Sequence, residues 1–330
     1  MKVSTALRLN MTGLCDDPKA ESKRYRAAIE MAAFADRHGF SVVSVEEHHC
    51  AENGWLPSPL ILAAMIAART ERIAVNVTAL LIPLYDPIKL AEDIAVLDLA
   101  SGGRFSFVAG MGYRPLEFAA LDKHWEERGQ RMDHVLETLF KAWRGKPFEY
   151  NGATIRVTPT PLTKPHPPFA IGGMTRAAAR RAARFGLPFY PPMGLRELEG
   201  AYYEELARHA KKGIVVYPDE ANAMLFVDED PERAWVELAP YFLREAREYV
   251  SWRRDGVPRP GEQPVETIAE LRAQRRYEIL TPAECVERIR TSASNLTICL
   301  HPLAGGIPVE RAWECLRLYA DGVLGGLSEE

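Results

Sequence analysis

The sequence predicts an α/β protein of the (β/α)8 TIM-barrel class with insertions, on the strength of three observations. Apolar strand-like runs alternate with helix-like segments in about eight units, as in a closed parallel barrel. No composition break marks a boundary in the 330 residues, so we expect one domain over 1–330. Finally, four ionisable residues, Glu46-Glu47-His48-His49, end an apolar run, where parallel α/β proteins place their chemistry.

The first half of the chain contains four predicted strands and four predicted helices. The strands are Val3–Leu9, Ser41–Glu46, Ile73–Pro83 and Arg104–Val108, and the helices are Ser22–His38, Ser58–Arg69, the segment between Asp86-Pro87 and Gly102-Gly103, and Arg131–Trp143. Apolar residues at Tyr25, Ile29 and Ala32 have helical spacing, and Gly39 ends that helix. Asp86 is a capping residue followed by proline at the first helical position.

The second half resumes the alternation after an insertion. Predicted strands are Pro168–Ile171, Leu187–Tyr190, Ala221–Val227 and Asn295–Leu300, and predicted helices are Thr175–Phe185, Pro231–Trp252, a short helix opened by the capping box Thr281-Pro282-Ala283-Glu284, and Val309–Leu324. Asn151-Gly152 indicates a β-hairpin inserted at about 147–163. The segment 253–280 holds many charges, three prolines and little periodicity. We expect a mobile lid there, with a solvated charged loop as the alternative.

Composition and charge exclude several classes of function. A net charge of −4 and the lack of a basic run argue against a nucleic-acid partner. The apolar stretches are too short to span a membrane, and Met1–Leu9 lacks the apolar core of a signal peptide. We therefore expect a cytoplasmic protein. The five cysteines are an odd number without a Cys-x-x-Cys pair, which favours reduced thiols.

The stretch Glu46–His49 supplies the candidate catalytic residues. On a strand, Ser44, Glu46 and His48 share one face, which we expect to point into the barrel mouth. His48 is the first candidate for acid–base work because an imidazole exchanges protons near neutral pH. Glu46 either orients His48 or is a buried, paired carboxylate. His48 and His49 point to opposite faces and cannot chelate one ion together, so we expect no metal site.

Several motifs taken together make the chain resemble the flavin-dependent family of bacterial luciferase and its monooxygenase relatives. The resemblance runs nearly from end to end, and five motifs in the right order make it specific. These are Glu47-His48-His49, Ala91-Glu92-Asp93, Leu97-Asp98-Leu99-Ala100-Ser101-Gly102-Gly103-Arg104-Phe105, Ala182-Ala183-Arg184-Phe185-Gly186-Leu187-Pro188 and Thr281-Pro282-Ala283-Glu284-Cys285.

This resemblance implies a luciferase-like TIM barrel that binds reduced FMN at its strand ends. In that family the reduced flavin reacts with O2 to form a C4a-hydroperoxide, which oxidises an aldehyde, ketone or aromatic substrate. The resemblance also implies reduced FMN from a separate flavin reductase. The chain has no Gly-x-Gly-x-x-Gly fingerprint after a strand, consistent with a chain that does not bind a nicotinamide through a Rossmann unit. The family also implies a homodimer formed through barrel helices.

The resemblance further implies which residues form the flavin site. His48 falls on the catalytic histidine of luciferase-like enzymes, and Thr78-Ala79 falls where they place a cis peptide beneath the flavin ring. The cofactor-binding candidates are Thr78, Ala79, Gly110, Met111, Gly173, Met174 and Thr175. Glycines at strand-to-helix junctions allow backbone N–H groups to approach a phosphate, so we expect the FMN phosphate near Met174 and Thr175.

Two positions depart from the luciferase pattern. Met111 stands where luciferases carry a phosphate-binding arginine, and Arg114 or Arg176 is a candidate to replace its charge. Gly110 stands at the position of the reactive luciferase cysteine, so no thiol chemistry is expected there. Both departures argue against a light-emitting enzyme and leave the broader family assignment intact.

Two alternatives to an FMN-dependent monooxygenase stay open. The first is a deazaflavin-dependent hydride-transfer enzyme on the same barrel, although those relatives more often have an aspartate before a single histidine than Glu47-His48-His49. The second is a non-catalytic flavin-binding barrel, like the inactive subunit of luciferase. Retention of His48 argues against that second alternative.

Overall fold

The computed structural model describes residues 3–13, 17–217, 224–252, 265–292 and 296–328. The chain divides into two compact units. The first unit comprises Met1–Pro57 and Ala221–Glu330, and the second comprises Ser58–Glu220. In the described part of the chain, no helix is both long and apolar enough to cross a bilayer.

Strands and helices alternate along the described residues. The strands are β1 Ser4–Leu9, β2 Val42–Val45, β3 Ala74–Leu80, β4 Phe105–Ala109, β5 Phe148–Tyr150, β6 Ala153–Ile155, β7 Phe169–Gly172, β8 Phe189–Tyr190, β9 Met224–Val227, β10 Tyr277–Leu280 and β11 Thr297–Leu300. The helices are α1 Pro18–Arg37, α2 Pro59–Arg69, α3 Pro87–Ala100, α4 Pro115–Ala120, α5 Arg128–Trp143, α6 Arg176–Phe185, α7 Arg196–Arg208, α8 Pro231–Ser251, α9 Ile268–Ala273, α10 Pro282–Thr291, α11 Val309–Leu318 and α12 Gly325–Ser328. A π-helical turn, Tyr319–Leu324, joins α11 to α12.

The first unit is built on parallel strands in the order β10-β9-β11-β1-β2. Leu7 of β1 lies opposite Val43 of β2 and Leu300 of β11, and all three side chains are fully buried. Arg8 alternates with these apolar residues and therefore points to the opposite face of the sheet. Because the strands are parallel, their carboxyl ends bring residues far apart in the sequence to one edge.

The second unit has parallel strands in the order β3-β4-β7-β8. The predicted insertion is present as an antiparallel hairpin of β5 and β6. Its turn residues Asn151 and Gly152 have φ values of 49° and 78°, the left-handed backbone that an Asn-Gly hairpin turn requires.

Predicted helix caps are observed at two helices, and a glycine that was not predicted as a cap ends a third. The Asp86 side chain accepts hydrogen bonds from the N–H groups at the start of α3, and Thr281 and Glu284 form a reciprocal capping box at α10. Gly186 ends α6 in the left-handed conformation, with φ of 73°. Local side-chain chemistry therefore fixes where these helices begin and end.

The motif Leu97–Phe105 has a structural role in the second unit. The Arg104 guanidinium donates to the carbonyl oxygens of Ala67, Thr70 and Ile73 at 2.8–2.9 Å. These carbonyls lie at or just beyond the end of α2, where partial negative charge collects. Arg104 therefore fastens the end of α2 to the start of β4.

Four elements differ from the sequence-based predictions. Helices α4 and α7 were not predicted, and the expected irregular segment 253–280 contains α9 and β10. The prediction of irregular structure is therefore wrong for Ile268–Leu280, where a Thr267–Glu270 capping box starts α9 and the alternately buried strand Tyr277–Leu280 follows. The lid itself stays a prediction. The remaining part, 253–264, lies outside the described residues.

The described cysteines, Cys50, Cys285, Cys299 and Cys315, are free thiols, as the sequence predicts. Burial raises the pKa of Cys285 and of Cys315 to about 12. Both thiols are thus protonated near neutral pH, which leaves them inert as nucleophiles.

Candidate active site

His48 lies just beyond the carboxyl end of β2 and is buried, with 6% of its surface exposed. Its backbone N–H donates to the carbonyl oxygen of Leu56 at 3.1 Å, which ties this loop to the next one. The strand ends at Val45, so the predicted alternation of faces does not extend to His48. Loop geometry, and not strand pleating, sets the direction of the imidazole.

Two tryptophans pack against His48 within the first unit. The ring of Trp55 lies edge-on, with its centroid 5.0 Å from that of His48, and the ring of Trp252 lies 4.7 Å away. The two indoles are themselves 5.1 Å apart. Trp252 follows the last residue of α8, so the end of this helix supplies one wall around the imidazole.

The carboxylates beside His48 have partners of their own. Glu46 accepts a charge-assisted hydrogen bond from Arg8 Nε of β1. Burial opposes ionisation of Arg8, yet the Glu46 carboxylate raises the pKa of Arg8 above its ordinary value. Glu47 lies 2.9 Å from His49 Nε2. Glu46 is half-buried and forms an ion pair with Arg8, and its role toward His48 stays a prediction.

A second buried carboxylate, Glu245 of α8, connects residues that follow β1 and β11 with the first residue of β10. It accepts hydrogen bonds from Asn10 Nδ2 at 3.1 Å, Thr12 Oγ1 at 2.8 Å and Tyr277 OH at 3.2 Å. The backbone N–H of Gly305 also donates to it, at 3.2 Å.

The charge state of Glu245 follows from its neighbours. Burial alone would raise the pKa of Glu245, but the nearby His301 and Arg8 lower it to about 2. The side chain is therefore an ionised carboxylate at neutral pH.

His301 follows β11 and is buried, with 2% of its surface exposed. Its Nδ1 lies 3.1 Å from the Met224 sulfur and 3.7 Å from a Glu245 oxygen. Burial lowers the pKa of His301 to about 4, against the opposing effect of Glu245. The imidazole is therefore neutral at physiological pH.

The second unit contains the flavin-site candidates that follow β3 and β4. The peptide bond between Thr78 and Ala79 is cis, as the resemblance implies. A Cβ atom added at Gly110 would lie 2.8 Å from the Cβ of Ala79, so only glycine allows these strand ends to approach so closely. Met111, which stands at the phosphate-binding arginine position, is half-buried.

The remaining candidates lie between β7 and α6 of the same unit. A Cβ at Gly173 would lie 2.7 Å from that of Ala178, so this turn also requires glycine. Thr175 caps α6 by accepting from the Ala178 N–H at 3.2 Å, and Met174 beside it is half-buried. The start of α6 thus presents backbone N–H groups and a hydroxyl, a set that suits a phosphate.

The two arginines proposed to replace the missing phosphate contact differ in their surroundings. Arg114 is buried and lies 3.2 Å from Glu117, whereas Arg176 is exposed and pairs with Glu197 at 2.7 Å. An exposed ion pair contributes little energy, so Arg176 can exchange its partner for a phosphate at low cost.

The sequence did not indicate four side chains of this region: Arg8, Glu245, Trp252 and His301. Arg8 was detectable as a charge inside an apolar strand, but the others depend on how α8 and the end of β11 meet. Within the described ranges, no group of three or more histidine, cysteine, aspartate or glutamate side chains is arranged to hold a metal ion.

Comparison with known sequences identifies the family. The sequence profile described as luciferase-like monooxygenase matches residues 10–297. The uncharacterized protein y4vJ of Sinorhizobium fredii is 30% identical over 49% of this chain and 47% of that protein. The oxygenase component of a flavin-dependent trigonelline monooxygenase from Acinetobacter baylyi is 27% identical over 47% of this chain and 45% of its own length.

A longer match is to 4-hydroxyprotoasukamycin monooxygenase of Streptomyces nodosus subsp. asukaensis, which is 25% identical over 79% of this chain and 75% of that enzyme. By contrast, the chain spans about half the length of y4vJ and of the trigonelline enzyme.

Solved structures show the same fold. The monooxygenase RslO1 from Streptomyces bottropensis has a TM-score of 0.74 and 24% identity, covering 99% of this chain and 100% of that one. The FMN-bound oxygenating constituent of 3,6-diketocamphane monooxygenase from Pseudomonas putida has a TM-score of 0.70 and 17% identity, covering 98% and 99%.

An F420-dependent secondary alcohol dehydrogenase is also similar, with a TM-score of 0.64 and 15% identity, covering 98% and 99%. These likenesses confirm the predicted TIM-barrel-like fold. With a family profile matched over residues 10–297, the chain belongs to the luciferase-like monooxygenase family.

Proposed function

We propose that this protein is the oxygenase of a two-component system that uses reduced FMN and O2 to oxidise a small organic substrate. The substrate class is an aldehyde, ketone or aromatic compound. The observation that carries the proposal is the buried His48 at the end of β2, walled by Trp55 and Trp252. Relatives named as flavin-dependent monooxygenases support it.

In this proposal seven residues bind FMN. They are Thr78, Ala79, Gly110, Met111, Gly173, Met174 and Thr175. The glycine turns fit a flavin because backbone can approach a ligand closely only where no Cβ intervenes, as at Gly110 and Gly173. FMN, when bound in its reduced form, supplies the electrons that activate O2.

His48 contributes proton transfer in the same proposal. His48 acts as the acid–base group, and the indoles of Trp55 and Trp252 exclude water from it. Glu46 acts through Arg8 as a positioning residue, because its observed contact is with the guanidinium.

The proposed partners are a separate flavin reductase, as the name "oxygenase component" of the trigonelline relative implies for that protein, and a second copy of the chain. Helices α2 and α3 pack together in the second unit and carry exposed apolar residues. These are Ile61 at 62%, Met65 at 40%, Val96 at 53% and Leu99 at 42% exposure. An exposed apolar stripe of this kind favours a protein interface, so we propose a homodimer through α2 and α3.

Anaerobic titration with reduced FMN and, separately, with reduced deazaflavin F420 tests the choice of cofactor. We expect reduced FMN to bind at least tenfold more tightly, followed by O2 uptake when air is admitted. Tight binding of the deazaflavin alone, with turnover in the absence of O2, would establish the hydride-transfer alternative. Binding of FMN without any O2-dependent oxidation would establish a non-catalytic barrel.

A further inference from the structure

The protonation of His301 follows from its neighbours. Its Nδ1 faces the Met224 sulfur at 3.1 Å and a Glu245 carboxylate oxygen at 3.7 Å. A thioether and a carboxylate both only accept hydrogen bonds, so Nδ1 carries the proton of the neutral ring. The other nitrogen, Nε2, is then an acceptor with a free lone pair.

The Nε2 atom is buried and receives no hydrogen bond from any residue that the structure describes. Only 2% of the His301 surface is exposed, so bulk water does not satisfy this atom. A buried acceptor without a donor costs about 1–3 kcal/mol, and native proteins rarely leave one unexplained. The missing group is therefore a hydrogen-bond donor.

Contacts within the first unit connect His301 to the proposed catalytic loop. Met224, which contacts His301, also receives a hydrogen bond from Arg8 at 2.7 Å, and Arg8 pairs with Glu46. Glu46 is two residues before His48. His301 thus lies at the carboxyl ends of the same parallel strands as the candidate acid–base residue.

We propose that His301 determines substrate specificity by accepting a hydrogen bond at Nε2 from a hydroxyl or N–H group of the substrate. This inference rests on the proposed function and narrows its substrate class to carbonyl or aromatic compounds that carry such a donor. Glu245 acts as the positioning residue, since its carboxylate keeps the Nδ1–H tautomer in place. A site built to pair a hydroxyl discriminates strongly against analogues that lack it.

Matched ligand pairs test the proposal by calorimetric binding to the full-length protein loaded with oxidised FMN. The pairs are 4-hydroxybenzaldehyde with 4-methylbenzaldehyde, 4-hydroxycyclohexanone with 4-methylcyclohexanone, and 6-hydroxyhexanal with heptanal. In each pair a methyl group replaces the hydroxyl at nearly equal volume. We expect the hydroxyl member of at least one pair to bind about tenfold more tightly to the wild type.

Two variants of His301 distinguish a hydrogen bond to the ligand hydroxyl from packing against the ligand. His301→Leu removes the acceptor and should reduce the preference to less than twofold, whereas His301→Gln retains an acceptor and should preserve most of it. Cys299→Ala, two residues earlier on β11, is the control and should keep the full preference. Circular dichroism and thermal unfolding establish that each variant is folded.

Two outcomes would overturn the proposal. Wild-type protein that shows no hydroxyl preference in any pair would mean that a retained water supplies the donor. If His301→Leu kept the full preference for the hydroxyl ligand, a residue other than His301 would be responsible for that preference. Neither outcome affects the proposed function, which is judged separately by O2-dependent oxidation with reduced FMN.

Discussion

At the scale of single residues, the buried imidazole of His48 carries the chemical argument. We expect His48→Ala to fold normally and to slow product formation by about 10²–10⁴-fold, the usual loss when a general acid or base is removed. Steady-state product formation with reduced FMN measures the effect. His38→Ala, which removes an exposed imidazole at the end of α1, is the control and should turn over like the wild type. Wild-type rates for His48→Ala would remove this residue from the mechanism.

The second residue-scale prediction concerns acid stability. Burial lowers the pKa of His301 to about 4, below the ordinary value of 6.5, so between these values the unfolded chain binds more protons. The free energy of unfolding should therefore fall as the pH drops from 6.5 to 4, by on the order of 3 kcal/mol from this group.

His301→Gln lacks the titrating group, so its free energy of unfolding should change less with pH over the same range. Urea unfolding at a series of pH values measures both profiles. If the free energy of unfolding changed with pH equally in the wild type and the variant, His301 would not be the group responsible. In the wild type, loss of the Glu245 carboxylate adds to the decline only below about pH 4.5, because its folded pKa is about 2.

Some of these residues were predictable from the sequence and others were not. His48 stands out in the short motif Glu47-His48-His49, and the resemblance to a known family implied the cis peptide at Thr78-Ala79. Glu245 and His301 are 56 residues apart, and only the packing of α8 against the end of β11 brings them together. A contact between distant elements leaves no periodic signal in either segment.

At the scale of elements, Arg104 of the motif Leu97–Phe105 attaches α2 to β4, and replacing it tests whether this motif has a structural role. Arg104→Lys keeps the charge but cannot reproduce the fork of hydrogen bonds to Ala67, Thr70 and Ile73. We expect a loss of about 2–4 kcal/mol in the free energy of unfolding, with activity per folded molecule unchanged.

Chemical denaturation measures this loss, and Arg37→Lys, in the last turn of α1, is the matched control. A variant as stable as the wild type, or a folded variant with altered turnover, would contradict a purely structural role for Arg104.

Element boundaries were predictable where side chains cap the backbone, as at Asp86 and Thr281. The prediction failed for Ile268–Leu280, although Thr267 and Glu270 form a capping box there. Charged residues dominate that segment, and α9 is a helix of six residues, too short for apolar periodicity to identify.

At the scale of the whole molecule, the proposed homodimer predicts that charged residues placed in its interface lower the mass of the protein in solution from that of a dimer to that of a monomer. Ile61→Glu combined with Val96→Glu places charges on the exposed stripe of α2 and α3 and should convert the dimer to monomer. Val236→Glu, at an exposed apolar residue of α8, is the control and should leave the dimer intact. Size-exclusion chromatography with light scattering measures the mass. A wild-type monomer, or a dimer unaffected by both charges, would contradict this interface.

The central claim is that the protein transfers oxygen from O2 to an organic molecule with electrons from reduced FMN. The most direct test supplies reduced FMN from a separate reductase under ¹⁸O2, with a panel of aldehydes, ketones and aromatic compounds, and analyses products by mass spectrometry. The account predicts a product that carries a single ¹⁸O atom, formed by the wild type and nearly lost in His48→Ala. Products free of ¹⁸O, or formed equally well without O2, would contradict it.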